Sequence, residues 1–253
     1  MKPKNSLERV LAVLEVFSEE RLEWTPEDLM RELGYSRPTL YRYLKILKDA
    51  GFLMSTRNSG VTLGPKVVEM DYLTRRSDPL VLRGVPYLKQ LTADHACTAM
   101  VLRWYGNKIL CVASESSTKN PISSYPRGRP MPLGRGAIAR SILAQLPRPR
   151  LLPLIERNLA DLRGVGLGDT AEDVLKNLRK VRKAGFCVAY GEVTPGAVGI
   201  AAPVVNDRDY PVASVCVTIA GNLVTGAQID RIGTEVRRVA SQISVDQANS
   251  RSE

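Results

Sequence analysis

Near the start of the chain, Leu7, Val10, Leu11, Leu14 and Phe17 recur at helical spacing, predicting an amphipathic helix that stops in the charged stretch from Ser18 to Glu23. Thr25 has the chemistry of an N-cap, Pro26 suits a first turn, and Glu27 and Asp28 suit its positive end. Leu29, Met30 and Leu33 supply the apolar face of this second helix, which Gly34 ends. Ser36 is placed to cap a third helix, with Leu40, Leu44 and Leu47 in one stripe and Gly51 at its close. Phe52 to Met54 and Val61 to Leu63 then alternate as two short strands around the polar tip Ser55 to Gly60. The order is helix, helix, tight turn, helix, hairpin, which reads as a winged helix-turn-helix.

A domain boundary falls near Gly64. Val67 to Arg76 reads as a connector helix, and beyond Asp78-Pro79 a helical stretch carries Leu82, Val85, Leu88 and Leu91. From Cys97 the period shortens towards two: Cys97 to Trp104 and Lys108 to Ser114 flank the hairpin signal Tyr105-Gly106-Asn107. A loop from Pro126 to Leu133 leads to helices over about 134–146, 150–159 and 170–184, with loop over 163–168. Strands follow near 186–190, 198–205 and 212–220, and a last helix carries Ile229, Ile232, Val236, Val239 and Ile243. The fold class is mixed α/β (α+β), and the expected layout is a head over 1–64, a linker helix over 65–78, a second domain over 79–247 and a frayed tail over 248–253.

On a wheel centred on Leu40 and Leu44, residues Pro38, Arg42, Lys45 and Asp49 point outward, and Arg37, Thr39 and Tyr41 occupy the first turns. A helix of this kind fits the major groove of DNA, where arginine bonds guanine edges and hydroxyls reach phosphates or thymine methyls. Surface arginines and lysines alone more often form a solvated face. The hairpin with Arg57 at its tip makes DNA recognition the better reading. The candidate DNA-binding residues are Ser36, Arg37, Pro38, Thr39, Tyr41, Arg42, Lys45 and Arg57.

Composition adds little to this and removes several alternatives. A net charge of +10 invites a polyanionic partner, but the chain through Pro65 holds 10 basic and 9 acidic residues, so the excess does not locate a site. With a single histidine, a metal site using imidazole or a Ser-His-Asp triad would have to rest on His95 alone, so neither metal nor cofactor is implied. It reads as a capping or surface residue. Cys97, Cys111, Cys187 and Cys216 lie in apolar stretches without a C-x-x-C pair, as buried thiols of a reducing compartment do. The first apolar run is broken by Glu8, Arg9 and Glu15, and the longest uncharged run, Tyr210 to Ile229, contains Pro211 and two glycines, so no secretory or membrane-spanning segment is expected and the cytoplasm is the expected location.

The stretches Ser36-Arg37-Pro38-Thr39-Leu40-Tyr41-Arg42-Tyr43-Leu44-Lys45-Ile46-Leu47 and Gly51-Phe52-Leu53 resemble the recognition helix and wing start of the IclR family of bacterial transcriptional regulators. Pro86-Tyr87-Leu88-Lys89-Gln90-Leu91, Met131-Pro132-Leu133, Val181-Arg182-Lys183-Ala184-Gly185-Phe186, Glu192 and Gly199-Ile200-Ala201-Ala202-Pro203-Val204 sit at that family's spacings, and the resemblance runs from about Ser6 to Ile243. Pro38 stands where the family usually has serine, and Val61 where an aromatic is common. The resemblance implies a GAF-like effector-binding domain, with an antiparallel sheet packed by helices, and homodimers or homotetramers on a pseudo-palindromic operator.

In similar proteins the effector lies between the sheet and the helix after the Pro-Leu motif, which here implies Ala137, Ile138, Ala189, Ala197, Val198 and Gly199, with Tyr125 and Met131 as further lining. So apolar a wall suits an aromatic or other hydrophobic acid, whose carboxylate would need Arg127 or one of Arg103, Arg129 and Arg135. Glu192 reads as a capping or pairing residue in the turn before Gly196. The leading expectation is a DNA-binding regulator with a small-molecule effector. An architectural DNA-binding oligomer without ligand stays open, as does an enzyme using Cys97, Cys111 or Glu192, which the lack of a visible base partner opposes.

Overall fold

The computed structural model describes residues 5–119, 121–122 and 125–249, without the side chains of 245–249. The chain divides between Ser77 and Asp78 into two compact units.

The first unit opens with α1 (Ser6–Glu15), α2 (Pro26–Leu33) and α3 (Arg37–Asp49), followed by strands β1 (Leu53–Ser55) and β2 (Val61–Leu63), and ends with α4 (Pro65–Ser77). Thr25 Oγ1 accepts from the Asp28 amide at 3.2 Å, and Gly34 ends α2 with φ 66°. Ser36 occupies the N-cap of α3 without bonding the helix backbone, because its hydroxyl donates to Thr39 Oγ1 at 3.0 Å instead. The core gathers Val13, Trp24, Leu29, Tyr35, Leu40, Tyr43, Leu44, Leu47, Leu53 and Val61. Leu7 and Leu11, expected in the buried stripe of the first helix, are exposed, since the helix turns Val13 inward. Strands β1 and β2 pair antiparallel, and Trp24 bridges to Val61, joining the α2 entrance to the wing.

In the second unit, α5 (Pro79–Asp94), β3 (Thr98–Trp104), β4 (Ile109–Ser116), β5 (Pro130–Met131), α6 (Ala137–Leu143), α7 (Arg148–Arg157), α8 (Leu159–Gly164), α9 (Ala171–Ala184), β6 (Cys187–Tyr190), β7 (Ala197–Val205), β8 (Pro211–Ala220) and α10 (Gly226–Asn249) follow one another. The strands form one antiparallel sheet in the order β5-β4-β3-β8-β7-β6. One face packs on Leu80, Leu88 and Leu91 of α5 and on Ile229, Ile232, Val236, Val239 and Ile243 of α10. The other face packs on α6 to α9, through residues such as Ile142, Ile155, Leu162, Val174 and Leu178. This is the mixed helix and antiparallel-sheet architecture expected of the second domain.

Several local expectations change. Residues 134–136 do not join α6, where Gly136 holds φ 89°, so the helix expected from 134 starts at Ala137. A helical turn, α8, runs into the first two residues of the loop expected over 163–168, with Leu162 buried in the core. Leu80 takes the buried position on α5, and Leu82 is exposed. The two-residue strand β5 is too short to leave a periodic signal. Of the tail expected to fray from 248, residues 250–253 lie outside the described residues, while α10 runs on to Asn249.

Candidate functional site

In the first unit, Leu40, Tyr43, Leu44 and Leu47 hold α3 against the core and leave Arg37, Pro38, Tyr41, Arg42 and Lys45 on one exposed surface, beside Ser36 and half-buried Thr39. Tyr35 fixes the preceding turn: its hydroxyl donates to the Arg9 carbonyl at 3.1 Å, and its ring meets Tyr43 edge-on at 5.8 Å. Lys48 ties the helix to the wing through Ser55 Oγ at 2.8 Å, and Arg57 stands exposed at the hairpin tip. Among the described residues, Arg37, Arg42, Lys45 and Arg57 form no ion pair with a carboxylate. Arg37 and Arg42 instead lie near the rings of Tyr41 and Tyr43, at 5.4 and 5.3 Å. Exposed cations with no carboxylate partner and a helix that presents them to solvent are what phosphate and base contacts require.

The second unit contains a cavity on the α6 face of the sheet, between β7 and β8, the start of α6 and the turn joining β6 to β7. Counting the open solvent at its mouth, about 450 Å³ there is free of atoms. Ala137, Ile138, Ala189, Ala197, Gly199, Tyr125 and Met131 all line it. Gly136 lines it too, and its φ of 89° is a conformation few side chains tolerate. Gly199 lies where an added Cβ would meet only Ala137 Cβ at 3.9 Å and the Ala189 carbonyl at 4.0 Å, so the space beyond it belongs to the cavity.

Two of the predicted lining residues stand elsewhere. Val198 belongs to the opposite face of the sheet, packed among the α5 and α10 residues, because successive residues of a strand alternate sides and Ala197 and Gly199 claim the cavity face. Arg127 donates to the Val112 carbonyl and is not among the lining residues. The other arginines considered for a ligand carboxylate are also outside it. Arg103 pairs with buried Asp78 at 2.7 Å, Arg129 stacks on Tyr125 at 4.9 Å, and Arg135 is exposed.

Sequence reasoning placed Glu192 in its turn as a capping or pairing residue and missed the rest of the polar wall. Thr218 and Cys216 face the cavity from β8, as their spacing of two allows, and Thr194 faces it from the turn. Glu192 is the one carboxylate among the described lining residues; its Oε2 accepts from the Gly136 amide at 2.8 Å and its Oε1 from Arg140 Nη2 at 2.7 Å. Both side chains of this ion pair are largely buried. No local pattern announces a pair 52 positions apart.

The chemistry of the thiols and of the histidine argues against a nucleophile. Burial pushes Cys97 and Cys216 up to about 12 and Cys111 up to about 11, and it raises Cys187 against the opposing pull of Arg140. His95 is mostly buried at the end of α5, where Nε2 lies 2.8 Å from Glu235 Oε2 on α10, so it joins two helices and is no surface residue. Among the described residues no cluster of His, Cys, Asp and Glu could hold a metal.

Neutral thiols have a consequence for stability. Below about pH 9 they keep their protons in both folded and unfolded chains, and their contribution is complete. Above it the unfolded thiols ionise first, so stability is expected to fall as the pH rises towards 11 to 12. Urea unfolding across pH 8 to 11 checks this, and replacing Cys216 by alanine should flatten the decline. A thiol reagent at pH 8 should label the native protein slowly and the unfolded protein at once.

Comparison with known proteins places both units. Residues 76–245 match the family model described as the bacterial transcriptional regulator IclR C-terminal domain, and residues 6–56 match the IclR helix-turn-helix domain. The chain is similar to the HTH-type transcriptional regulator KipR of Bacillus subtilis, 25% identical over 96% of this chain and 98% of that one. A solved structure of an IclR-type regulator from Silicibacter has the same fold, with a TM-score of 0.79 at 19% identity and 95% of each chain covered. So does an IclR homologue from Microbacterium hydrocarbonoxydans complexed with 4-hydroxybenzoate, with a TM-score of 0.74 at 21% identity over 96% of this chain and 98% of that one.

Proposed function

Because the chain belongs to the IclR family of bacterial transcriptional regulators, we propose that α3 and the β1–β2 wing read an operator and that the cavity of the second unit binds a small aromatic or otherwise hydrophobic acid that changes operator affinity. The observation that carries the second part is the cavity itself, mostly apolar with a few convergent polar groups, which is how small-molecule sites are built. The ligand-free architectural alternative would need side chains to fill that space. The complex of the Microbacterium homologue with 4-hydroxybenzoate supports the aromatic class. Exposed Val68, Met70, Tyr72 and Leu73 on α4 support a homo-oligomer, as a pseudo-palindromic operator needs. Similar proteins are named transcriptional regulators, which supports a non-enzymatic protein acting on DNA, and no described helix is long and apolar enough to cross a membrane.

Coupling follows by linkage: a ligand that binds one arrangement of the oligomer more tightly shifts operator affinity by the same factor that operator shifts ligand affinity. The test has two parts. Selection of bound genomic fragments should recover a pseudo-palindrome, and Arg42→Ala should cost about 1–3 kcal/mol in operator binding and relax one base position, while Arg57→Ala weakens all sequences alike. An unchanged base preference for Arg42→Ala would remove that residue from the base-reading surface. Thermal melting with 4-hydroxybenzoate, benzoate and related acids should then show saturable stabilisation by at least one of them.

A further inference from the structure

The acid reading leaves one requirement open, a cation for the carboxylate, and the pair at the cavity wall answers it. Arg103, Arg127, Arg129 and Arg135 are all outside the lining. Arg140 is not a lining residue either, but unlike them it bonds a lining carboxylate, Glu192, at 2.7 Å, and its Nε is buried without a hydrogen-bond partner. It also makes a long contact from Nη2 to the Val165 carbonyl at 3.5 Å and lies beside the Cys187 thiol. Glu192 comes to this place from the β6–β7 turn, with both oxygens held and its carboxylate facing the cavity.

Resting on the effector reading above, we infer that Arg140 and the Gly136 amide form a carboxylate subsite of the cavity, and that the chain's own Glu192 occupies it until a ligand carboxylate takes its place. A guanidinium with an adjacent amide is the donor set a carboxylate prefers, and Glu192 shows that a carboxylate fits there with bonds of 2.7 and 2.8 Å. The tether gives Glu192 the advantage over a small free anion. An aromatic acid offsets that advantage by burying its ring against Ala137, Ile138, Ala189 and Met131. The exchange releases the turn that carries Glu192, so the ligand's charge, besides its shape, changes the protein.

The experiment uses the full chain and sodium acetate, the severed end of the glutamate side chain, against sodium chloride at equal ionic strength. Glu192→Ala should melt lower than wild type, and acetate should recover roughly half or more of the loss in a saturable way that chloride does not reproduce. Wild type should respond to acetate no more than to chloride, and the Arg140→Gln/Glu192→Ala double variant should lose the rescue. Equal responses to the two salts in Glu192→Ala overturn the subsite. Should Glu192→Ala not fold, titration calorimetry of Glu192→Gln with benzoate decides: binding about tenfold tighter than to wild type supports the exchange, and binding no tighter overturns it. Aromatic acids that stabilise wild type without any acetate rescue would sink the subsite and leave the effector reading standing; rescue without any stabilising aromatic acid would do the reverse.

Discussion

Arg140→Met is expected to destabilise the second unit by about 3–5 kcal/mol, because it strands the Glu192 carboxylate, largely buried, without its counter-charge. Methionine fills much of the same volume, so the loss is electrostatic and leaves little cavity. In a unit of this size the shift corresponds to a melting temperature lower by roughly 6–20 °C. The control removes both charges: Arg140→Met with Glu192→Gln should recover most of the stability, since replacing a buried pair by neutral groups is often close to neutral. Urea unfolding of the three proteins reads the result. A single variant within about 1 kcal/mol of wild type would show that the pair is better hydrated than its burial indicates.

Gly199→Leu should abolish ligand binding, weakening it by at least about a hundredfold, or about 2.7 kcal/mol. The physical reason is space. A methyl at position 199 reaches only van der Waals contact with Ala137 and the Ala189 carbonyl, so Gly199→Ala should bind within a few-fold of wild type. The longer leucine side chain has to project into the volume a ligand ring would use, and the cavity fills from within. Calorimetry with the acid that most stabilises wild type, 4-hydroxybenzoate first, distinguishes the two variants. Leucine tolerated without loss of affinity would move the ligand to another site. Val198→Ala, one residue away but on the other face of the sheet, should lower stability and leave affinity alone.

These expectations depend on the sequence to different degrees. The first unit was legible almost throughout, because its signals are local. Thr25 before Pro26, Gly34 after Leu33 and the leucine stripe of α3 involve residues a few positions apart, and any chain with that pattern satisfies its helix ends in the same way. Tyr43 was not read as core, since a tyrosine with a polar end gives no periodic signal; it is buried against Tyr35. The exposure of Leu7, Leu11 and Leu82 was equally hidden. Each sits on a plausible apolar stripe, and which edge of a stripe is covered depends on the partner that packs there.

The cavity was partly legible. Its small residues, Ala137, Ala189, Ala197 and Gly199, were recognisable as a group through family resemblance, and strand alternation was available to separate Val198 from its neighbours. Of its polar wall only Glu192 was legible, as a capping or pairing residue without a named partner. Arg140 lies mid-helix and Glu192 in a turn, and only the sheet order that sets β6 and β7 beside α6 makes them meet.

The sequence by itself determined most of the elements, their order, the winged helix-turn-helix and the mixed helix and strand content of the second unit, because periodicity and helix capping act over three or four residues; the antiparallel sheet was legible only through family resemblance. The tertiary structure alone decided which face each strand residue serves, that His95 bridges to Glu235 and leaves the surface, and that a buried arginine is held at the cavity by a glutamate. Those outcomes depend on the register of strands and the packing of helices brought together from distant parts of the chain. Charge pairing in a low-dielectric interior is fixed by distances that only the folded chain sets.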